Sequence, residues 1–157
     1  MAPASPAEGK QPRLTLRKDE KLRHRSLVER LFSEGRSAYA YPLRVVWQTY
    51  TPEELERNFR TGVPPRVGAV QMLITVPKKK RRHAVDRVLM RRRIREAYRL
   101  ERQALKERVE NKEDMRLLDM AFVYIATTNE DFQTVRSRMR KLLAKIEAAI
   151  FPQVQES

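Results

Sequence analysis

Five adjacent cations, Lys78-Lys79-Lys80-Arg81-Arg82, are followed by arginines at Arg87, Arg91, Arg95 and Arg99, a pattern suited to binding phosphate. Side chains four residues apart drift only slowly around a helix, so these arginines form a ridge that Arg102 and Lys106 continue. Like charges at that spacing destabilise an isolated helix by about a few tenths of a kcal/mol per pair, and a polyanion removes the repulsion. Guanidinium forks donate paired hydrogen bonds to phosphate oxygens in a fixed plane, which an ammonium cannot do. Arg92 adds a further cation to the same stretch. The plainer readings are a solvated basic face with Glu96 and Glu101 as counterions, and a localisation signal for the five-residue run.

Residues for chemistry on the polypeptide itself are scarce. His24 and His83 are the only histidines, and neither belongs to a general acid or base motif. There is no Gly-rich phosphate loop, no HExxH pair, no serine elbow and no pair of carboxylates in an apolar setting. Zero cysteines exclude a disulfide framework, thiol catalysis and cysteine-ligated metal. Neither catalytic residues nor metal ligands are expected on the protein.

Bulk charge agrees with the ridge. Across 157 residues, 34 Lys plus Arg against 20 Asp plus Glu give a formal net charge of +14, and a polyanion relieves that self-repulsion while releasing condensed counterions. Nucleic acid is favoured over an anionic membrane. No stretch approaches the roughly 18 uninterrupted apolar residues of a spanning helix, and the N-terminus lacks the apolar core of a secretory signal. A cytoplasmic location is expected.

The elements that must position these cations follow from periodicity and punctuation. Residues 1–12 carry three prolines and little to bury, predicting a disordered leader; residues 13–150 form one domain and 151–157 a tail. Ser26 to Glu29 has the form of a capping box opening a first helix to Glu34, with Leu27, Val28, Leu31 and Phe32 as its apolar face and Gly35 as a left-handed terminator. Leu43 to Tyr50 reads as a strand, with Tyr39 and Tyr41 in a short strand before it. Residues 51–66 read as a long connection whose Glu53 to Glu56 can form one helical turn after Thr51-Pro52.

Val67 to Val76 is a nearly continuous apolar run, as in a strand covered on both faces. A long helix without Pro or Gly runs from His83 or Ala84 to about Val109, docking through Met90, Ile94, Ala97, Tyr98, Ala104 and Leu105. Asp119 to Thr127 reads as a central strand. A last helix begins after Thr128-Asn129, with Glu130 and Asp131 suited to the positive end of its dipole, and ends near Pro152. The fold class expected is α+β: a small mixed sheet packed with three helices in the order α-β-β-(β)-α-β-α.

Val76-Pro77-Lys78-Lys79, then Ala84-Val85-Asp86-Arg87 and Arg91-Arg92-Arg93-Ile94-Arg95-Glu96-Ala97-Tyr98, resemble the bacterial ribonuclease P protein component, and the likeness extends from about Leu14 to Ile146. The resemblance implies a left-handed crossover around the long helix, against the usual hand. It implies binding to the catalytic RNA of ribonuclease P and to precursor tRNA, whose 5′ leader the RNA removes with bound Mg²⁺, without DNA or membrane as partner. The charge pattern itself makes Lys78, Lys79, Lys80, Arg81, Arg82, Arg87, Arg91, Arg92, Arg95 and Arg99 the expected RNA contacts; by resemblance, Arg87, Arg91, Arg92 and Arg95 match the family's basic positions, and a groove at Phe32, Tyr39, Tyr41 and Arg44 takes the leader.

This chain departs from the family pattern in three places. Val88 and Leu89 follow Arg87 where the signature has Arg-Asn-Arg, Lys80-Arg81-Arg82-His83 replaces a glycine-containing turn, and the 51–66 connection is longer. Phe32 also fits the apolar stripe of its helix, so a core role stands beside leader contact. A ribosomal or other structural RNA-binding protein shares the composition and remains the alternative. A DNA-reading helix would offer more Asn, Gln or Ser beside its arginines.

Overall fold

The computed structural model describes residues 15–152; the expected leader at 1–12 and most of the 151–157 tail lie outside them. After a 3-10 turn at Lys18–Glu20 come α1 (Arg25–Glu34), β1 (Arg36–Ala40), β2 (Leu43–Tyr50), α2 (Pro52–Asn58), β3 (Val70–Thr75), α3 (Ala84–Glu101), α4 (Gln103–Glu110), β4 (Leu117–Tyr124) and α5 (Phe132–Ile150). The class is α+β with one mixed four-stranded sheet in the order β1-β2-β4-β3. Antiparallel pairs join β1 to β2 and β2 to β4, while β3 runs parallel to β4. The crossover between those parallel strands is made by α3 and α4.

Alternation along the strands divides the core into two layers. On one face Val45, Trp47, Met120, Phe122 and Tyr124 pack against Met90, Ile94 and Tyr98 of α3 and against Val135, Met139 and Leu142 of α5. On the other, Val46, Tyr50, Leu117 and Ala121 pack against Leu27 and Leu31 of α1 and Leu55 of α2. All eight residues of β4 are buried, as its central position requires.

Among the described residues five helices replace the three expected, for two local reasons. In the 51–66 connection the Thr51 hydroxyl accepts from Glu54 N–H at 3.1 Å while the Glu54 carboxylate accepts from Thr51 N–H at 2.8 Å. That reciprocal cap opens a helix of 7 residues, longer than one turn. The long helix is interrupted at Arg102, although Arg102 N–H still donates to Tyr98 O and its carbonyl accepts from Lys106 N–H. Its buried guanidinium donates to Arg99 O at 2.9 Å, the carbonyl that Gln103 N–H would use in an unbroken helix.

Other boundaries also differ. The capping box at Ser26 does not form: the N-cap is His24 without a side-chain cap, the Ser26 hydroxyl accepts from Asn58 Nδ2 at 2.9 Å, and Glu29 pairs with Arg25. Gly35 is not left-handed, with φ −71°. A Cβ there would lie 2.4 Å from Leu31 O and 2.7 Å from Val46 Cγ1, so close packing selects the glycine. β3 starts at Val70, not Val67, because Arg116 takes the carbonyls of Val67 and Gly68. As an edge strand it leaves Leu73, Ile74 and Thr75 only partly buried, so it is not covered on both faces along its length.

Candidate nucleic-acid interface

α3 is amphipathic in the sense that matters for a polyanion. Met90, Ile94, Ala97 and Tyr98 are sealed against the sheet, while Arg92 and Arg95 are exposed and Arg91 is partly exposed. Among the described residues these three arginines make no ion pair or side-chain hydrogen bond. The two ends of the predicted ridge differ. Arg87 Nη1 donates to the carbonyls of Arg81 and Arg82 at 3.0 and 2.7 Å. Arg99 grips Glu96 through two hydrogen bonds of 2.9 and 2.5 Å, and the Arg99 hydrogen bond holds the Glu96 carboxyl below the usual carboxylate range.

The five-cation run is likewise divided. Pro77 O accepts from the N–H groups of Lys80 and Arg81, a turn that leaves Lys78, Lys79 and Arg82 exposed and Lys80 partly so. Arg81 turns inward: it donates to Asn129 Oδ1 at 2.9 Å and Thr127 O at 2.6 Å and pairs with Asp86 at 3.0 Å. Asn129 Nδ2 also donates to Asp86 Oδ1 at 3.1 Å; this bond, then Arg81, holds the Asp86 carboxyl low. Arg81 and Arg87 thus shape the loop, whereas Lys78, Lys79, Lys80, Arg82, Arg91, Arg92 and Arg95 keep cationic groups available.

The four residues assigned to the leader groove lie at the β1–β2 edge and on α1. Tyr39 and Arg44 are cross-strand partners, with the guanidinium 5.9 Å from the ring centroid, and Tyr41 opens the turn into Pro42. Tyr39, Tyr41 and Phe32 are 57%, 58% and 47% exposed. Those values place Phe32 outside the α1 core stripe of Leu27 and Leu31, against the core reading. Two cations of α5 grip the hairpin: Lys145 Nζ donates to Tyr39 O at 2.7 Å and Arg138 Nε to Tyr41 O at 2.9 Å. Exposed aromatic rings beside a guanidinium can stack unpaired bases without choosing among them.

No group of three or more His, Cys, Asp or Glu able to hold a metal ion occurs among the described residues. The His24 ring meets Phe59 edge-on at 5.5 Å, and His83 is exposed at the start of α3. The buried carboxylates among the described residues are Glu20, paired with Arg102 at 2.7 Å, and Asp119. Asp119 is fully sealed, and burial pushes its carboxyl up to about 8; a group closed off in this way cannot reach a substrate. No described helix is long and apolar enough to cross a membrane.

The segment from Arg13 to Arg25 is dense in Lys and Arg, but no motif in it marks a site. The structure places Lys21 and Arg23 along one hollow with Arg91 and Arg95. Their number was visible in the sequence; the pairing of Leu22 N–H with Met72 O, which brings them there, was not.

Comparisons with known proteins bear on the family and the fold. The family model described as Ribonuclease P matches residues 16–147. A ribonuclease P protein component of Porphyromonas gingivalis is 34% identical over 135 residues, covering 86% of this chain and 88% of the relative. That of Chlorobaculum tepidum is 32% identical over 146 residues, covering 90% and 88%. The ribonuclease P protein of Staphylococcus aureus shares the fold with a TM-score of 0.54 at 14% identity, over 81% of this chain and 94% of that one. With the family match spanning most of the chain and the cation-bearing helix in place on its sheet, the chain belongs to the ribonuclease P protein family.

Proposed function

We propose that this chain is the protein subunit of ribonuclease P, acting in 5′ maturation of tRNA in the cytoplasm. The catalytic RNA lies along α3 and the loop before it, and the 5′ leader of precursor tRNA lies on Phe32, Tyr39, Tyr41 and Arg44. The observation that carries the reading is the row of exposed Arg92 and Arg95 and partly exposed Arg91 on a helix whose opposite face is core. A rigid row of guanidinium groups without protein partners releases condensed counterions when it meets phosphates, at no cost in broken ion pairs.

Hydrolysis belongs to the RNA and to Mg²⁺ that the RNA holds. The protein neutralises phosphate repulsion in the folded RNA and tethers the substrate, which lowers the Mg²⁺ concentration the assembly needs. Reconstitution with a ribonuclease P RNA is the test. Precursor cleavage at low Mg²⁺ is expected to rise on adding the protein, and no gain in cleavage or precursor affinity would overturn the reading. Co-purification with ribosomal subunits, unaffected by loss of that RNA, would favour a structural ribosomal role.

A further inference from the structure

The segment before α1 is a built wall. Arg102 Nε donates to Glu20 Oε1 at 2.7 Å, Gly68 N–H donates to Asp19 O at 3.1 Å, and Leu22 N–H donates to Met72 O at 2.9 Å. The last contact adds a parallel bridge between Lys21 and Met72 to the outer edge of β3. Between this wall and α3 lies a hollow of about 590 Å³.

Its chemistry is two-sided. The floor is aliphatic, with Leu22, Leu73 and Ile74; Lys21 and Arg23 stand on the wall, Arg91 and Arg95 on the helix, and no acid lines it. Lys21 and Arg23 are exposed and make no side-chain hydrogen bond or ion pair among the described residues. The hollow continues at both ends. A second one of about 400 Å³ shares Leu16 and Arg95 and adds Arg92, and a smaller one of about 130 Å³ shares Lys21 and Arg23 and adds Lys18 and Arg66.

Free phosphate would use the cations and leave the aliphatic floor wet. A nucleotide uses both: its base covers the floor while its flanking phosphates reach the two cationic rims. The size suits a ligand of that class. We propose that this groove binds an unpaired nucleotide of the RNA that lies along α3. Its continuity with Arg92 and Arg95 assigns it to that RNA; Tyr39 lies on β1, at the opposite edge of the sheet from β3. The inference rests on the proposed role of α3 as the seat of the catalytic RNA.

The test uses the full chain, with Lys21→Ala/Arg23→Ala for the groove and Arg92→Ala for the ridge, melting curves confirming that each variant folds. The double variant is expected to bind catalytic RNA about 10-fold more weakly at moderate salt, with the slope of log K against log salt reduced by about 1 to 2. Methyl resonances of Leu73 and Ile74 should shift on adding pentauridylate and stay in place with inorganic phosphate. The preference of the assembled enzyme for precursor over mature tRNA should be unchanged. Parental affinity and slope in the double variant, with Arg92→Ala weakened, would overturn the groove and leave the ridge standing. If Arg92→Ala also binds as the parent does, both readings fall; if only the precursor preference drops, the occupant is the leader and the assignment is overturned.

Discussion

Glu20 and Arg102, 82 positions apart in the chain, meet as a buried ion pair: Nε donates to Oε1 at 2.7 Å and Nη2 to Oε2 at 3.2 Å. Side-chain exposure is 2% for Glu20 and 1% for Arg102. The same guanidinium reaches Thr15 O and Arg99 O, so one side chain ties the N-terminal segment to the junction of α3 and α4. Burial alone would push the Glu20 carboxyl up, but the hydrogen bonds from Arg102 and from Arg17 N–H carry it below its ordinary 4.5.

Arg102→Ala is expected to cost about 3–5 kcal/mol, because it takes both guanidinium hydrogen bonds from a buried carboxylate and leaves it, among the described residues, only Lys106 as an ion-pair partner, at 3.6 Å. Glu20→Leu combined with Arg102→Met should recover much of that loss. The folded-state pKa of Glu20 lies below the unfolded value, so its contribution is present above about pH 4.5 and is lost as pH falls through the folded value. Thermal melts of parent and variants between pH 3 and 7 measure both effects. A parental melting temperature for Arg102→Ala would contradict the account.

The arginines assigned from sequence divide into two classes that titrations with salt should separate. Arg91→Ala, Arg92→Ala and Arg95→Ala each remove a cation without a protein partner, so each should weaken RNA binding and lower the salt slope by about 0.9 per lost phosphate contact. Arg81→Ala breaks contacts to Thr127, Asn129 and Asp86. It should lower the melting temperature and loosen the loop at residues 78–82. A full unit lost from the salt slope on Arg81→Ala, with no loss of stability, would mean that its guanidinium turns outward to phosphate.

How much of this was legible depended on the range of the interaction. β2 was visible from Leu43 to Tyr50 because a run of β-branched and aromatic residues after Pro42 is a local signal, and α5 because Phe132, Val135, Met139 and Leu142 repeat at helical spacing. The break at Arg102 was hidden, because it depends on a carboxylate 82 positions away. Arg81 and Arg87 looked like free cations in a row; only the fold brings Thr127 and Asn129 beside Arg81, and only the turn at Pro77 brings carbonyls to Arg87. Likewise the capping pair at Ser26 and Glu29 was outcompeted by Asn58 and Arg25.

Gly35→Ala tests close packing where the sequence suggested backbone conformation. The backbone at Gly35 is accessible to any residue, with φ −71° and ψ 159°. The added Cβ would nevertheless meet Leu31 O at 2.4 Å and Val46 Cγ1 at 2.7 Å. A backbone carbonyl cannot step aside as a side chain can, so α1 must shift on the sheet, at a cost of about 1–3 kcal/mol. Chemical denaturation measures it, and a variant as stable as the parent would show that α1 is free to move.

Asp119 stands in the centre of β4, opposite Gln48 of β2 and Gln71 of β3, and neither carboxylate oxygen has a hydrogen-bond partner among the described residues. Burial raises its pKa from 3.8 to about 8, so the folded protein keeps a proton that the unfolded chain gives up above pH 4. For an acid with a raised folded-state value, stability falls as pH climbs from about 3.8 towards 8 and then levels off. Asp119→Asn has nearly the shape of the protonated acid, cannot ionise, and brings an amide donor beside Gln71, whose Oε1 also lacks a partner. Its melting temperature relative to the parent should therefore rise between pH 5 and pH 8, by about 2–4 °C for each kcal/mol recovered. A difference that does not change with pH would mean that Asp119 is ionised in the fold and holds a cation or an ordered water; titration with Mg²⁺ at pH 8 would tell those two apart.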